Sequence, residues 1–153
     1  MEQAFKQALI AYKKDEVPVG AVIVKDDVII ARAHNQMNSL TDPTAHAELI
    51  AITMACNGLN TSILSDCLLY STLEPCIMCS GAIVLSRMQS AIFPLKDDRF
   101  GGITSVCNTL DIEKMHRVSW RKINAFEADS KELLRKFFSK KRKINQMERW
   151  LSG

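Results

Sequence analysis

One histidine, one glutamate and two cysteines in this sequence are spaced so that they could share the chemistry of a metal ion. TAHAEL (Thr44–Leu49) supplies His46 and Glu48, and TLEPCIMCSGA (Thr72–Ala82) supplies Cys76 and Cys79. The Cys-x-x-Cys alone fits three chemistries: a redox dithiol, half of a structural zinc clip, or part of a catalytic metal site. His46, Cys76 and Cys79 together offer three donors to a tetrahedral ion and leave its fourth position open to water, whereas a structural zinc site closes with four protein ligands. His34 and His116 are poorly spaced to close it. A redox pair would have no use for Glu48, two residues from His46. It stands beside the open position, placed to take a proton from an ion-activated water and deliver it to a substrate nitrogen.

These residues need elements that aim them at one point. Apolar residues at Phe5, Ala8, Leu9 and Tyr12 give residues 2–14 a helical spacing. GAVIVKDDVIIARAHN reads as a β-hairpin, two β-branched runs around a turn at Lys25-Asp26-Asp27. Residues 36–43 are polar, contain Asp42-Pro43 and read as a loop. Ala45 to Cys56 carries one apolar helical face, and Asn57-Gly58 is its expected stop, so His46 and Glu48 fall in that helix's first turn. CLLYSTL (67–73) reads as a buried strand and Cys76 to Arg87 as a helix opened by Pro75, which places Cys76 and Cys79 in its first turn. Thiolates at helix N-termini have lowered pKa values, which favours coordination. Ser90 to Phe93 is a short strand, Lys96 to about Ser105 a loop, Arg117 to Phe126 a weak strand, and Ala128 to Trp150 a long amphipathic helix. This order indicates a single α/β layered domain over residues 1–153, with helices on a mixed sheet.

Composition bounds the function. The 153 residues are 47% hydrophobic and 24% charged, ordinary for a soluble domain, and no apolar run approaches the length of a membrane span. The N-terminal MEQAFKQALIAYKK alternates apolar and charged residues and does not read as a signal peptide, so a cytoplasmic location is expected. Five cysteines cannot all pair internally, and Cys56, Cys67 and Cys107 read as small packed residues. Residues 131–149 hold eight Lys or Arg against two Glu, a local +6 in a chain of net +3, which leaves −3 elsewhere. A basic C-terminal helix suggests a polyanionic partner such as nucleic acid.

His-x-Glu followed thirty positions on by Pro-Cys-x-x-Cys resembles the signature of the zinc nucleobase deaminases. The chain is similar to the cytidine and deoxycytidylate deaminase superfamily, and within it to the bacterial tRNA adenosine deaminases. EVPVGAVIV (16–24), DPTAHAEL (42–49), LYSTLEPCIMCSGAIVLSR (69–87) and Phe137-Phe138 carry that likeness over nearly the whole length. The resemblance implies a three-layer α/β/α cytidine-deaminase-like fold with a five-stranded mixed sheet, a homodimer, one Zn2+ per subunit on His46, Cys76 and Cys79, and Glu48 as proton shuttle. It implies that Asn35 hydrogen-bonds a flipped base, that the Ala47 backbone lies against it, and that Asp97 contacts the neighbouring ribose. Pro94 and Leu95 stand where the family has Gly-Ala, which changes backbone freedom beside the substrate and makes Asp98 a second candidate for the ribose contact. On the last helix Phe138 is available for stacking, and Lys140, Lys141, Arg142 and Lys143 for phosphate.

The expected activity is hydrolytic deamination of adenosine to inosine at the wobble position, A34, of a tRNA anticodon stem-loop, whose unpaired bases splay out at low cost. Two rivals remain at this point: a free-base or nucleoside deaminase for guanine or cytosine, and a non-catalytic zinc or RNA-binding protein. A small neutral substrate needs no +6 helix, and a structural site needs no Glu48.

Overall fold

A computed structural model describes residues 1–151. A hairpin starts the sheet: β1 (Gly20–Lys25) and β2 (Val28–His34) pair antiparallel, with Lys25 opposite Val28. Asp26 and Asp27 take φ of 48° and 60° in the two-residue turn, the left-handed pair that matches the twist of a hairpin. β1 also pairs antiparallel with β3 (Cys67–Ser71); β3 pairs parallel with β4 (Ser90–Phe93), and β4 parallel with β5 (Ser119–Lys122). The sheet is therefore mixed and five-stranded, in the order β2-β1-β3-β4-β5.

Helices cover both faces. α1 (Glu2–Lys13) lays Ala4, Ala8 and Ala11, all fully buried, against β1 and β2. Such small side chains bring helix and sheet backbones close: a Cβ on Gly20 would lie 2.1 Å from the Ala4 carbonyl oxygen, so only glycine fits there. Gly20 faces α1; the alternate positions Ala21 and Ile23 point to the other face, into the core shared with α3 (Ala47–Leu59) and α4 (Ile77–Leu85). The long helix α5 (Glu127–Leu151) joins the α1 layer through Tyr12 against Phe137, and Phe126, just ahead of it, packs against Phe5. The three-layer α/β/α architecture expected from the sequence is the one observed.

The differences are local. α3 runs through Asn57-Gly58 to Leu59 and ends at Asn60, whose φ of 52° makes the left-handed cap. A glycine inside a helix costs about 1 kcal/mol, and Leu59, packed against the core, repays continuing past it. Residues 36–43 hold a four-residue helix, α2 (Met37–Leu40), and Thr109–Asp111 form a 3-10 turn. The last strand, expected at 117–126, is confined to 119–122 on the sheet edge. Cys107 is exposed and not packed, whereas Cys67 is buried. Among the described residues, no helix is long and apolar enough to cross a membrane.

Candidate metal centre and substrate pocket

His46 is the N-cap of α3 and Cys76 the N-cap of α4, both with extended backbone and no side-chain capping bond, so their ring and thiol are free to turn outward from the helix start. Cys79 follows one turn into α4 and Glu48 in the first turn of α3. The two helix starts converge. His46 Nδ1 lies 3.6 Å from Cys76 Sγ and 3.6 Å from Cys79 Sγ, and the three donor atoms fall within 4.8 Å of one another. A tetrahedral zinc with Zn–S of about 2.3 Å and Zn–N of about 2.0–2.1 Å sets sulfur and nitrogen roughly 3.6 Å apart. The donor set fits that ion in type and in spacing, and with three ligands it leaves one position open.

The charges around it call for a cation. Hydrogen bonding from the Cys79 thiol, then from His46, holds Cys76 at about 4 against its burial. Cys79 is pushed up by the neighbouring Cys76, by burial and by Glu48. Two thiolates beside a carboxylate are unfavourable alone, and a divalent ion reverses that by deprotonating its thiol ligands outright. The Cys76 hydrogen bond raises His46.

Glu48 is 4% exposed, and burial raises its carboxyl above the usual range. Ser71, the last residue of β3, donates its hydroxyl to Glu48 Oε1 at 2.9 Å, and Oε2 lies 3.8 Å from Cys79 Sγ. The carboxyl is thus fixed beside the donor triad and is poised to hold a proton.

The triad opens into a pocket of about 760 Å³. Asn35, His46, Glu48, Cys76, Asp97 and Phe138 line it, together with Asp98. Asn35 is 4% exposed, its main-chain N–H on the Val19 carbonyl and its amide 3.4 Å from Glu16 Oε2. Ala47 lies between two lining residues but is itself fully buried, with its side chain in the core. Asp97 Oδ1 accepts the N–H of Arg99 at 3.0 Å and of Phe100 at 3.3 Å, so one of its oxygens shapes the turn; Asp98 is exposed. Lys140, Lys141, Arg142 and Lys143 are not part of the pocket wall. Lys141 pairs with Asp15 at 2.5 Å and stands over the Phe137 ring, and Lys140 is 3.8 Å from Asp15. Arg142 and Lys143 are exposed on α5.

Two buried carboxylates escaped the sequence reading. Glu16 accepts the N–H of Asn38 and Ser39 and the Ser39 hydroxyl, which anchors α2 and backs Asn35. Glu74, also in the pocket wall, accepts hydrogen bonds from the 97–105 segment. Their only advance signal is position: acidic residues inside otherwise apolar stretches, EVPVG and TLEPC, where an unpaired charge would be costly.

Comparison with known proteins agrees with this geometry. Residues 1–95 match the family described as the cytidine and deoxycytidylate deaminase zinc-binding region. A tRNA-specific adenosine deaminase of Aquifex aeolicus (strain VF5) is 52% identical over 143 residues, 93% of each chain. A solved structure from work on A-to-I editing by tRNA:A34 deaminases at the wobble position of transfer RNA superimposes with TM-score 0.83 at 38% identity, covering 88% of this chain and 97% of that one. A Bacillus subtilis guanine deaminase is 41% identical with TM-score 0.59, but over only 62% of this chain and 61% of that one. With the donor triad, the buried glutamate and the mixed sheet in place, the chain belongs to the zinc-binding cytidine and deoxycytidylate deaminase family.

Proposed function

We propose that this protein is a zinc-dependent tRNA adenosine deaminase: adenosine at the wobble position, A34, plus water gives inosine plus ammonia. The observation that carries the reading is the buried Glu48 carboxyl held beside three zinc donors with one position open, at the wall of a pocket large enough for a nucleoside. The near full-length likeness to tRNA-specific adenosine deaminases supports the substrate.

His46, Cys76 and Cys79 would hold zinc, which when bound would supply Lewis acidity that lowers the pKa of water towards 7. Glu48 moves the protons in two rounds: it takes one from the attacking water and gives it to N1 of the adenine, then takes the second from the new hydroxyl at C6 and gives it to the departing amine, so that ammonia leaves and Glu48 ends as it began. The Ser71 hydroxyl occupies Oε1 and leaves Oε2 as the proton-carrying oxygen. Asn35 orients the flipped base, backed by Glu16, while Asp97 or Asp98 meets the adjacent ribose and Phe138 offers a ring to a splayed base. Lys140, Lys141, Arg142 and Lys143 supply cationic charge for the anticodon stem-loop backbone. The whole chain acts as one deaminase domain, as a homodimer, in the cytoplasm.

The partial likeness to a guanine deaminase supports a second reading, a free-base enzyme of the same family. Incubating the zinc-loaded protein with a tRNA bearing A34, and separately with guanine, cytosine and cytidine, decides between them. Inosine from the tRNA and no ammonia from the small substrates is expected; ammonia from guanine with an unmodified tRNA would replace the proposal.

A further inference from the structure

Immediately before the cysteine turn, Glu74 is 1% exposed, yet it is not one of the three metal donors and makes no hydrogen bond to Glu48. Its carboxylate is instead wrapped by a single loop. Oε1 accepts three successive main-chain N–H groups, from Ile103 at 3.2 Å, Thr104 at 2.6 Å and Ser105 at 3.0 Å, and the Thr104 hydroxyl at 3.3 Å. Successive N–H groups converging on one oxygen form an anion-binding nest, here filled by the chain's own side chain. Oε2 accepts the N–H of Asp97 at 3.1 Å and the Ser105 hydroxyl. One carboxylate thereby ties both ends of the 97–105 segment to the residue that precedes the metal-binding turn.

The surrounding backbone repeats the link. The Glu74 N–H donates to the Leu95 carbonyl at 2.7 Å, Ile77 N–H to Phe100 at 3.2 Å, and Gly102 N–H to Pro75 at 2.8 Å. A Cβ on Gly101 would sit 2.5 Å from Glu74 Cδ, and one on Gly102 would sit 2.7 Å from Ile77 Cα. The loop is fitted to the cysteine turn with no room for a side chain, and its residues 95–100 form a wall of the pocket.

We propose that Glu74 is a positioning residue for substrate recognition, a buried clamp that holds the 95–100 wall, with Asp97 and Asp98, at a fixed distance from the metal centre. It acts on the substrate only through that loop. Its effect on turnover rests on the deaminase reading above; its effect on the loop does not.

Glu74→Gln separates the clamp from the fold. A glutamine oxygen at the Oε1 position keeps the three N–H groups of 103–105, while an amide nitrogen at Oε2 cannot accept the Asp97 N–H. One orphaned, part-buried donor is expected to raise KM for an A34 anticodon stem-loop by roughly tenfold while kcat falls by less. Zinc content should stay near wild type and the melting temperature should fall by only several degrees, and amide hydrogen exchange should accelerate at Asp97 but not along β1 or β3. Ser105→Ala, which removes one hydroxyl from the same oxygen, should give a smaller rise in KM and carries the test if Glu74→Gln fails to fold. Unchanged Asp97 exchange, or a fall in kcat with unchanged KM, would overturn the proposal. If the wild-type protein deaminates no RNA, the function reading fails, and the exchange measurement still decides whether Glu74 clamps the loop.

Discussion

The ion pairs of α5 make the basic run unequal, and this can be measured. Lys140 and Lys141 face Asp15, whereas Arg142 and Lys143 are exposed and, among the described residues, pair with no carboxylate. Each phosphate neutralised by a protein cation contributes about 0.7–0.9 to the slope of log affinity against log salt. Arg142→Ala with Lys143→Ala should therefore lower the slope for an anticodon stem-loop by about 1.5, so that going from 50 to 200 mM salt costs the variant roughly eightfold less affinity than it costs the wild type. Lys140→Ala with Lys141→Ala should change the slope by less, because Asp15 already offsets part of that charge. Asp15→Asn should steepen it by releasing both lysines to phosphate. Fluorescence anisotropy titrations across a salt series read all three variants. A slope that drops equally for the two pairs, or is unmoved by Arg142→Ala with Lys143→Ala, would refute the division of labour.

Phe137 and Phe138 are neighbours with opposite roles. Phe137 is 3% exposed against Tyr12, so Phe137→Ala should cost about 3–5 kcal/mol of stability; Phe138 is 44% exposed in the pocket wall, so Phe138→Ala should leave the denaturant midpoint nearly unchanged and weaken substrate binding. Glu16 predicts a pH effect: burial opposes its ionisation, but the Ser39 hydroxyl and the N–H groups of Asn38 and Ser39 outweigh it and hold the carboxyl below its ordinary 4.5. The unfolded chain then binds the proton more readily, so this contribution to stability is complete above about pH 4.5 and is lost as pH falls through the folded value. The melting-temperature gap between wild type and Glu16→Gln should close on acidification below that point; a gap that widens would contradict the assignment.

The sequence disclosed the metal centre because its parts are local. Each ligand lies at a helix start within a short motif, and the local chain alone aims it. The hairpin and the core helices were legible for the same reason, from alternation and from periodic apolar faces. Groups that act across long sequence separations were not. Glu74 meets its loop 23 to 31 positions away, and Asp15 meets Lys141 126 positions away. No periodicity marks α2, whose four residues are held by Glu16 from outside the segment. Asn57-Gly58 reads as a helix stop, and the packing of the partly buried Leu59 against the core overrode it. The basic run was visible as charge, but which cations remain free depends on the docking of α5 against the turn after α1.

Glu48→Ala in the zinc-loaded protein, assayed on a tRNA bearing A34, bears most directly on the mechanism. The three ligands are untouched and Ser71 loses only a buried partner, so zinc should remain near one per chain and the fold intact. Loss of the proton carrier should reduce inosine formation at least about a hundredfold. Zinc retained with inosine formation abolished is the predicted result; near-normal turnover in that variant would contradict the account.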